Sequence, residues 1–172
     1  MNKKKKAFDS VELASRTLGL SEILVEFKSE GAFLNHDINA VFDDKFYVIY
    51  FNETWVNKAS IDEIMVTALH ETRHAYQKAN IDFPEYFVGR ESKETIKQWK
   101  IDFENYKPSK NIEVDIEYLT QSVEIDAIAF AHYHMKKLFG IVTLIPQNIV
   151  HEVRNFKENL FVYSQYVEIS SF

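Results

Sequence analysis

Between Ser60 and Asn80 apolar residues return every third or fourth position, at Ile61, Ile64, Met65, Ala68, Thr72, Ala75 and Tyr76. That rhythm predicts an amphipathic helix over 61–79, opened by the capping-box pattern Ser60-Ile61-Asp62-Glu63 and stopped at Asn80. A shorter helix is expected over 10–18, with Asp9 as cap and Glu12 three residues on, followed by a strand at Ile23–Phe27. Ala40–Asp43 and Lys45–Phe51 are dense in Val, Ile, Tyr and Phe and read as strands joined by a tight turn at Asp43-Asp44. Together these segments predict a small antiparallel sheet. Further helices are expected near 93–106, over 112–139 as far as Gly140, and over 147–161.

Composition narrows the picture. The 172 residues are 46% hydrophobic and 15% aromatic, enough for one domain over 1–172 with a real core. The net charge is −6, and the one basic run, Lys3-Lys4-Lys5-Lys6, reads as a solvated tail, so nucleic acid is not the expected partner. Cysteine is absent, which excludes disulfides, thiol nucleophiles and thiolate metal sites. No stretch approaches the roughly 18 apolar residues of a membrane span, and no apolar signal core follows the lysines, so a cytoplasmic protein is expected.

Within the long predicted helix lies His70-Glu71-Thr72-Arg73-His74. Residues four apart on a helix have Cβ atoms about 5–6 Å apart on one face, so both imidazoles can reach one ion at roughly 2.0–2.1 Å, a distance suited to Zn²⁺. Glu71, beside the first histidine, is left free as a general base for a water that the ion acidifies. On a wheel of about 100° per residue the apolar stripe lies nearly opposite His70 and His74, which turns them toward a cleft.

A catalytic zinc site needs a third protein ligand. Glu124 is the leading candidate. Val123, Ala127, Ile128, Phe130, Ala131 and Met135 surround it in helix 112–139, and a carboxylate there costs several kcal/mol unless paired or bound to metal. Ala127 and Ala131 are small enough to let the motif helix approach. A Glu124 buried against Arg73 or a backbone donor is the competing reading, and Asp126 is the reserve ligand. His132 and His134 are candidate transition-state stabilisers; His36 and His151 read as structural. A pattern with Gly three and His six residues after His74 fails, because Gln77 and Asn80 occupy those places. No histidine occurs between 75 and 131 to serve as a third imidazole.

Three segments carry a resemblance to a known family: Tyr47-Val48-Ile49-Tyr50-Phe51-Asn52, Ala68-Leu69-His70-Glu71-Thr72-Arg73-His74-Ala75, and Glu124-Ile125-Asp126-Ala127-Ile128-Ala129-Phe130-Ala131. They resemble the minigluzincin zinc peptidases of the ImmA/IrrE type, common in bacteria and their mobile elements. The resemblance implies a zincin-like α+β fold with a small antiparallel sheet packed on an HExxH helix and a glutamate-bearing helix. It also implies His70, His74 and Glu124 as zinc ligands, Glu71 as general base, and a specific intracellular regulatory protein as substrate. Ile128 stands where the family carries an acidic residue, and no helix-turn-helix segment is visible.

The expected activity is zinc-dependent endopeptidase hydrolysis, with substrate added along Lys45–Phe51 as an edge strand. Residues 81–111 read as an insertion with an aromatic loop, either packed against the domain or closing over a groove. The alternative to catalysis is a zinc-bearing or metal-free protein-binding module.

Overall fold

Asn2 decides where the first helix begins, because its side-chain oxygen accepts the Lys5 N–H at 3.1 Å. In this computed structural model, which describes residues 2–33, 37–108 and 115–154, α1 therefore spans Lys3–Leu18. The lysine run is its first turn and not a solvated tail, and the helix starts well before residue 10. Four lysines oppose the helix dipole, but the cap, the Lys4–Glu53 and Lys5–Asp9 pairs and burial of Ala7, Val11, Ala14 and Leu18 outweigh that. Gly19, at φ 65°, ends the helix in the left-handed conformation that favours glycine.

The sheet has the order β1 (Leu24–Lys28), β3 (Val48–Asn52), β2 (Ala40–Asp43). It is mixed, which corrects the antiparallel expectation: β1 runs parallel to β3 and β2 antiparallel. After β1 the chain returns on the far side of β3, so the second strand of the hairpin, not the first, meets β1. Val25 and Phe42 thus flank Ile49. Because β3 is central, it offers no free edge, and the idea of substrate adding along Lys45–Phe51 is overturned.

The hairpin turn is also longer than expected. Asp43 Oδ1 accepts the N–H groups of Lys45 and Phe46, at 3.0 and 3.2 Å, and Tyr47 turns the chain at φ 54° before β3 begins at Val48. At the other end of β3, Asn52 accepts the Trp55 N–H at 3.2 Å and so caps α2 (Glu53–Lys58), a helix the apolar rhythm did not signal.

The capping box forms as read: the Ser60 hydroxyl accepts from Glu63 N at 3.2 Å, and Glu63 Oε2 accepts from Ser60 N at 2.7 Å. Helix α3 (Ile61–Asp82) passes through Asn80, whose side chain donates to the Tyr76 carbonyl of its own helix instead of stopping it. It lies between two cores. One joins Ile64, Ala68 and Ala75 to Val11, Ile49 and Phe51; the other joins Met65, Leu69 and Tyr76 to Trp99, Phe130 and Met135. On the histidine-bearing side His74 is buried and His70 is half-buried.

Helix α4 (Lys93–Glu104) seats Trp99 in the second core, so this part of the 81–111 insertion is packed structure. The expected helix over 112–139 is two, α5 (Ile116–Leu119) and α6 (Ser122–Phe139), while residues 112–114 lie outside the described ones. The break falls at Thr120–Gln121, where Asp102 of α4 accepts the Val123 N–H at 3.2 Å and caps the new helix. Gly140, at φ 71°, ends α6 as its sequence suggests. The last expected helix appears as a 3₁₀ turn at Gln147–Ile149 and helix at 150–154, where Ile149 and Val153 pack on Leu119 and Ala129; residues 155–161 lie outside the described ones. Among the described residues no helix is long and apolar enough to cross a membrane.

Candidate metal centre

One turn of α3 separates His70 from His74, and α6 crosses that turn closely because Ala127 and Ala131 are small and fully buried. The crossing delivers Glu124, in the first turn of α6, to the two imidazoles. His70 Nε2 and His74 Nε2 are 3.0 Å apart. Glu124 Oε2 lies 3.2 Å from His70 Nε2, and Oε1 lies 3.4 Å from His74 Nε2. The edge of a tetrahedron around an ion bonded at roughly 2.0–2.1 Å is about 3.3 Å; each imidazole lies near that distance from one of the two carboxylate oxygens, and one ligand atom from each of the three residues lies within 4.8 Å of the others.

Glu124 is fully buried, and Oε2 accepts no hydrogen bond despite facing His70. An acceptor left this way in the interior is costly unless a cation completes it. Burial pushes the Glu124 carboxyl up, but the facing imidazoles of His74 and His70 win and hold it well below the usual carboxylate range. Burial likewise lowers His74, yet Glu124 outweighs it and His74 is pushed up to about 9. The three groups can hold a metal ion, and the donor set, two imidazoles and one carboxylate, fits one.

A polar chain runs from His74 into the protein. His74 Nδ1 is 2.9 Å from Gln77 Oε1; with Gln77 as acceptor, Nδ1 carries a proton, so when the ring gives up its second proton it is Nε2 that gains the lone pair. Gln77 in turn donates to the Val123 carbonyl at 2.9 Å and to Asp126 Oδ2 at 2.7 Å. Asp126 is gripped by Arg73, which also reaches Glu91 at 3.1 Å and lies over the rings of Tyr76, Trp99 and Phe130. Burial alone would lower the Arg73 pKa, but Asp126 and Glu91 raise it. The reserve ligand Asp126 thus serves Arg73 and Gln77, and Arg73 pairs with Asp126, not with Glu124.

Glu71 sits on the sheet side, where its Oε2 accepts the Phe42 N–H of edge strand β2 at 2.9 Å. Tyr106, just beyond α4, donates its hydroxyl to Glu124 Oε1 at 2.7 Å. Tyr118 packs edge-on against Tyr106 at 6.3 Å. Burial first, and then the Glu124 charge, raises the pKa of both phenols, so both remain neutral donors.

His132 and His134 are not brought to this centre. They lie about 12 and 15 Å along α6 from Glu124, with His132 Nδ1 2.7 Å from Thr143 Oγ1 and His134 Nδ1 3.0 Å from the Phe130 carbonyl. His151 is exposed on the last described helix, and His36 lies outside the described residues. Sequence reasoning missed Gln77, Tyr106 and Tyr118. A polar residue three places after a motif histidine shares its helical face, which could have flagged Gln77; nothing local marks the tyrosines. No protein-family model matches the chain, and no curated protein or solved structure is significantly similar to it.

Proposed function

We propose that the protein is a zinc-dependent endopeptidase with a zincin-like fold, in which His70, His74 and Glu124 hold Zn²⁺ and Glu71 is the general base. The observation that carries this reading is the convergence of three ligand atoms, all within 4.8 Å of one another, beside a carboxylate that is not among them. Two histidines and a glutamate form one of the donor sets of catalytic zinc, and three protein ligands leave a fourth position open. Bound there, the ion would acidify water and polarise a peptide carbonyl.

The chain's own residues supply the rest. Gln77 holds His74 in the tautomer that points its Nε2 lone pair at the site. The Phe42 N–H holds one oxygen of Glu71, leaving the carboxylate oriented to take a proton from water and pass it to the departing amine. Since β3 is covered on both sides, an extended substrate would align on the outer edge of β2, the strand that touches Glu71.

Glu71→Gln tests the chemistry. Protein purified without chelators should hold one zinc per chain in both forms and cleave an unfolded protein substrate only as wild type. Equal cleavage by the variant would sink the peptidase reading. Less than stoichiometric zinc in wild type after added Zn²⁺ would remove the metal.

A further inference from the structure

The end of α4 is fastened to the start of α6 at three consecutive levels. Asp102 caps α6 through Ser122 Oγ and Val123 N, at 2.5 and 3.2 Å. The Gln121 side chain clasps the Lys107 backbone from both sides, accepting its N–H at 2.8 Å and donating to its carbonyl at 3.1 Å. Between them, the Tyr106 hydroxyl donates to Glu124 Oε1, while Oε2, the oxygen facing His70, is left without a hydrogen bond. The two carboxylate oxygens are thus differentiated: Oε1, 3.4 Å from His74 Nε2, also accepts the phenol, whereas Oε2, 3.2 Å from His70 Nε2, accepts no hydrogen bond.

We propose that Tyr106 is a positioning residue of the metal centre, which holds Glu124 to the ion through Oε2 alone and keeps the coordination number low. This rests on His70, His74 and Glu124 binding a metal. A carboxylate with both oxygens free can chelate an ion with both; a donor on one oxygen removes that option, as hydrogen bonds to ligating groups generally set their orientation. The segment 102–107 is accordingly a built part of the centre, although it comes from the insertion and contains no ligand. Tyr118, edge-on to Tyr106, limits where that ring can swing.

The test uses metal alone. Wild-type protein, Tyr106→Phe and Gln121→Ala are stripped of metal, titrated with Zn²⁺ against a chromophoric chelator, and separately loaded with Co²⁺, whose visible absorption is intense when four-coordinate and weak when more ligands bind. Tyr106→Phe should bind Zn²⁺ about 10- to 100-fold more weakly and show weaker Co²⁺ bands than wild type. Gln121→Ala, which loosens the clasp and leaves the phenol in place, should weaken Zn²⁺ in the same direction and keeps the test decisive if the first variant does not fold. Unchanged affinity and spectrum in the folded variants would overturn the proposal, as would a lowered melting temperature with the Co²⁺ spectrum intact. The underlying site fails differently: wild type, with no variant involved, would then bind neither ion.

Discussion

Arg73 and Asp126 form a two-pronged pair in the interior, with Nε 2.8 Å from Oδ2 and Nη2 3.0 Å from Oδ1. It ties the motif helix to the glutamate helix one turn from the candidate ligands. Arg73→Ala would strand a fully buried carboxylate, and breaking a buried pair costs about 3–5 kcal/mol. Urea unfolding should show a loss of that size with an unchanged slope. A loss below about 1 kcal/mol, the range of exposed pairs, would mean that water reaches Asp126.

Gln77→Leu removes the acceptor that sets the His74 tautomer, and groups in that role are worth about 10- to 100-fold in metal affinity. Chelator competition should detect the fall in Zn²⁺ binding, whereas Gln77→Glu, which retains an acceptor, should recover much of it. If the leucine variant bound Zn²⁺ like wild type, packing alone would be orienting His74.

His134 carries a pH dependence whose sign follows from its burial. Burial is the main cause that lowers its pKa from 6.5, with Lys137 and Arg73 adding to it against the Phe130 carbonyl. As pH falls through 6.5 the unfolded chain takes up the proton first, so the folded state loses stability until the depressed folded pKa is passed. Melting temperatures followed from about pH 8 to pH 5 should therefore fall more steeply for wild type than for His134→Gln. Parallel curves would remove this contribution.

Ser60→Ala deletes one half of the capping box, at about 1 kcal/mol. The Ser60 side-chain and backbone bonds to Glu63 also lower that carboxyl from its usual value of 4.5. A depressed carboxyl adds stability above its unfolded pKa and loses it as pH falls through the folded one. The variant should start less stable at neutral pH and lose less below about pH 4.5, as thermal unfolding at both pH values would reveal.

What the chain declares on its own is whatever neighbours in sequence can enforce. The capping box at Ser60, the three-and-four rhythm behind it, the spacing of His70 and His74, and the Gly140 stop are local rules of helix geometry, and each took the form the sequence implied. Glu124 was legible through its cost, since a carboxylate among apolar residues needs a cation or a donor. Other features depended on segments far apart in the chain. The place of β3 between β1 and β2 comes from the route taken after β1. The division of helix 112–139 comes from Asp102 capping Val123 from another helix, and the assignment of Asp126 to Arg73 from the way α3 crosses α6. Tyr106 reaches Glu124 across 18 residues, and no periodicity spans that gap. The motif thus determined which groups can share an ion, and tertiary packing decided what holds them in place, because side-chain direction within a helix is set by backbone geometry while contacts between helices depend on how their surfaces fit.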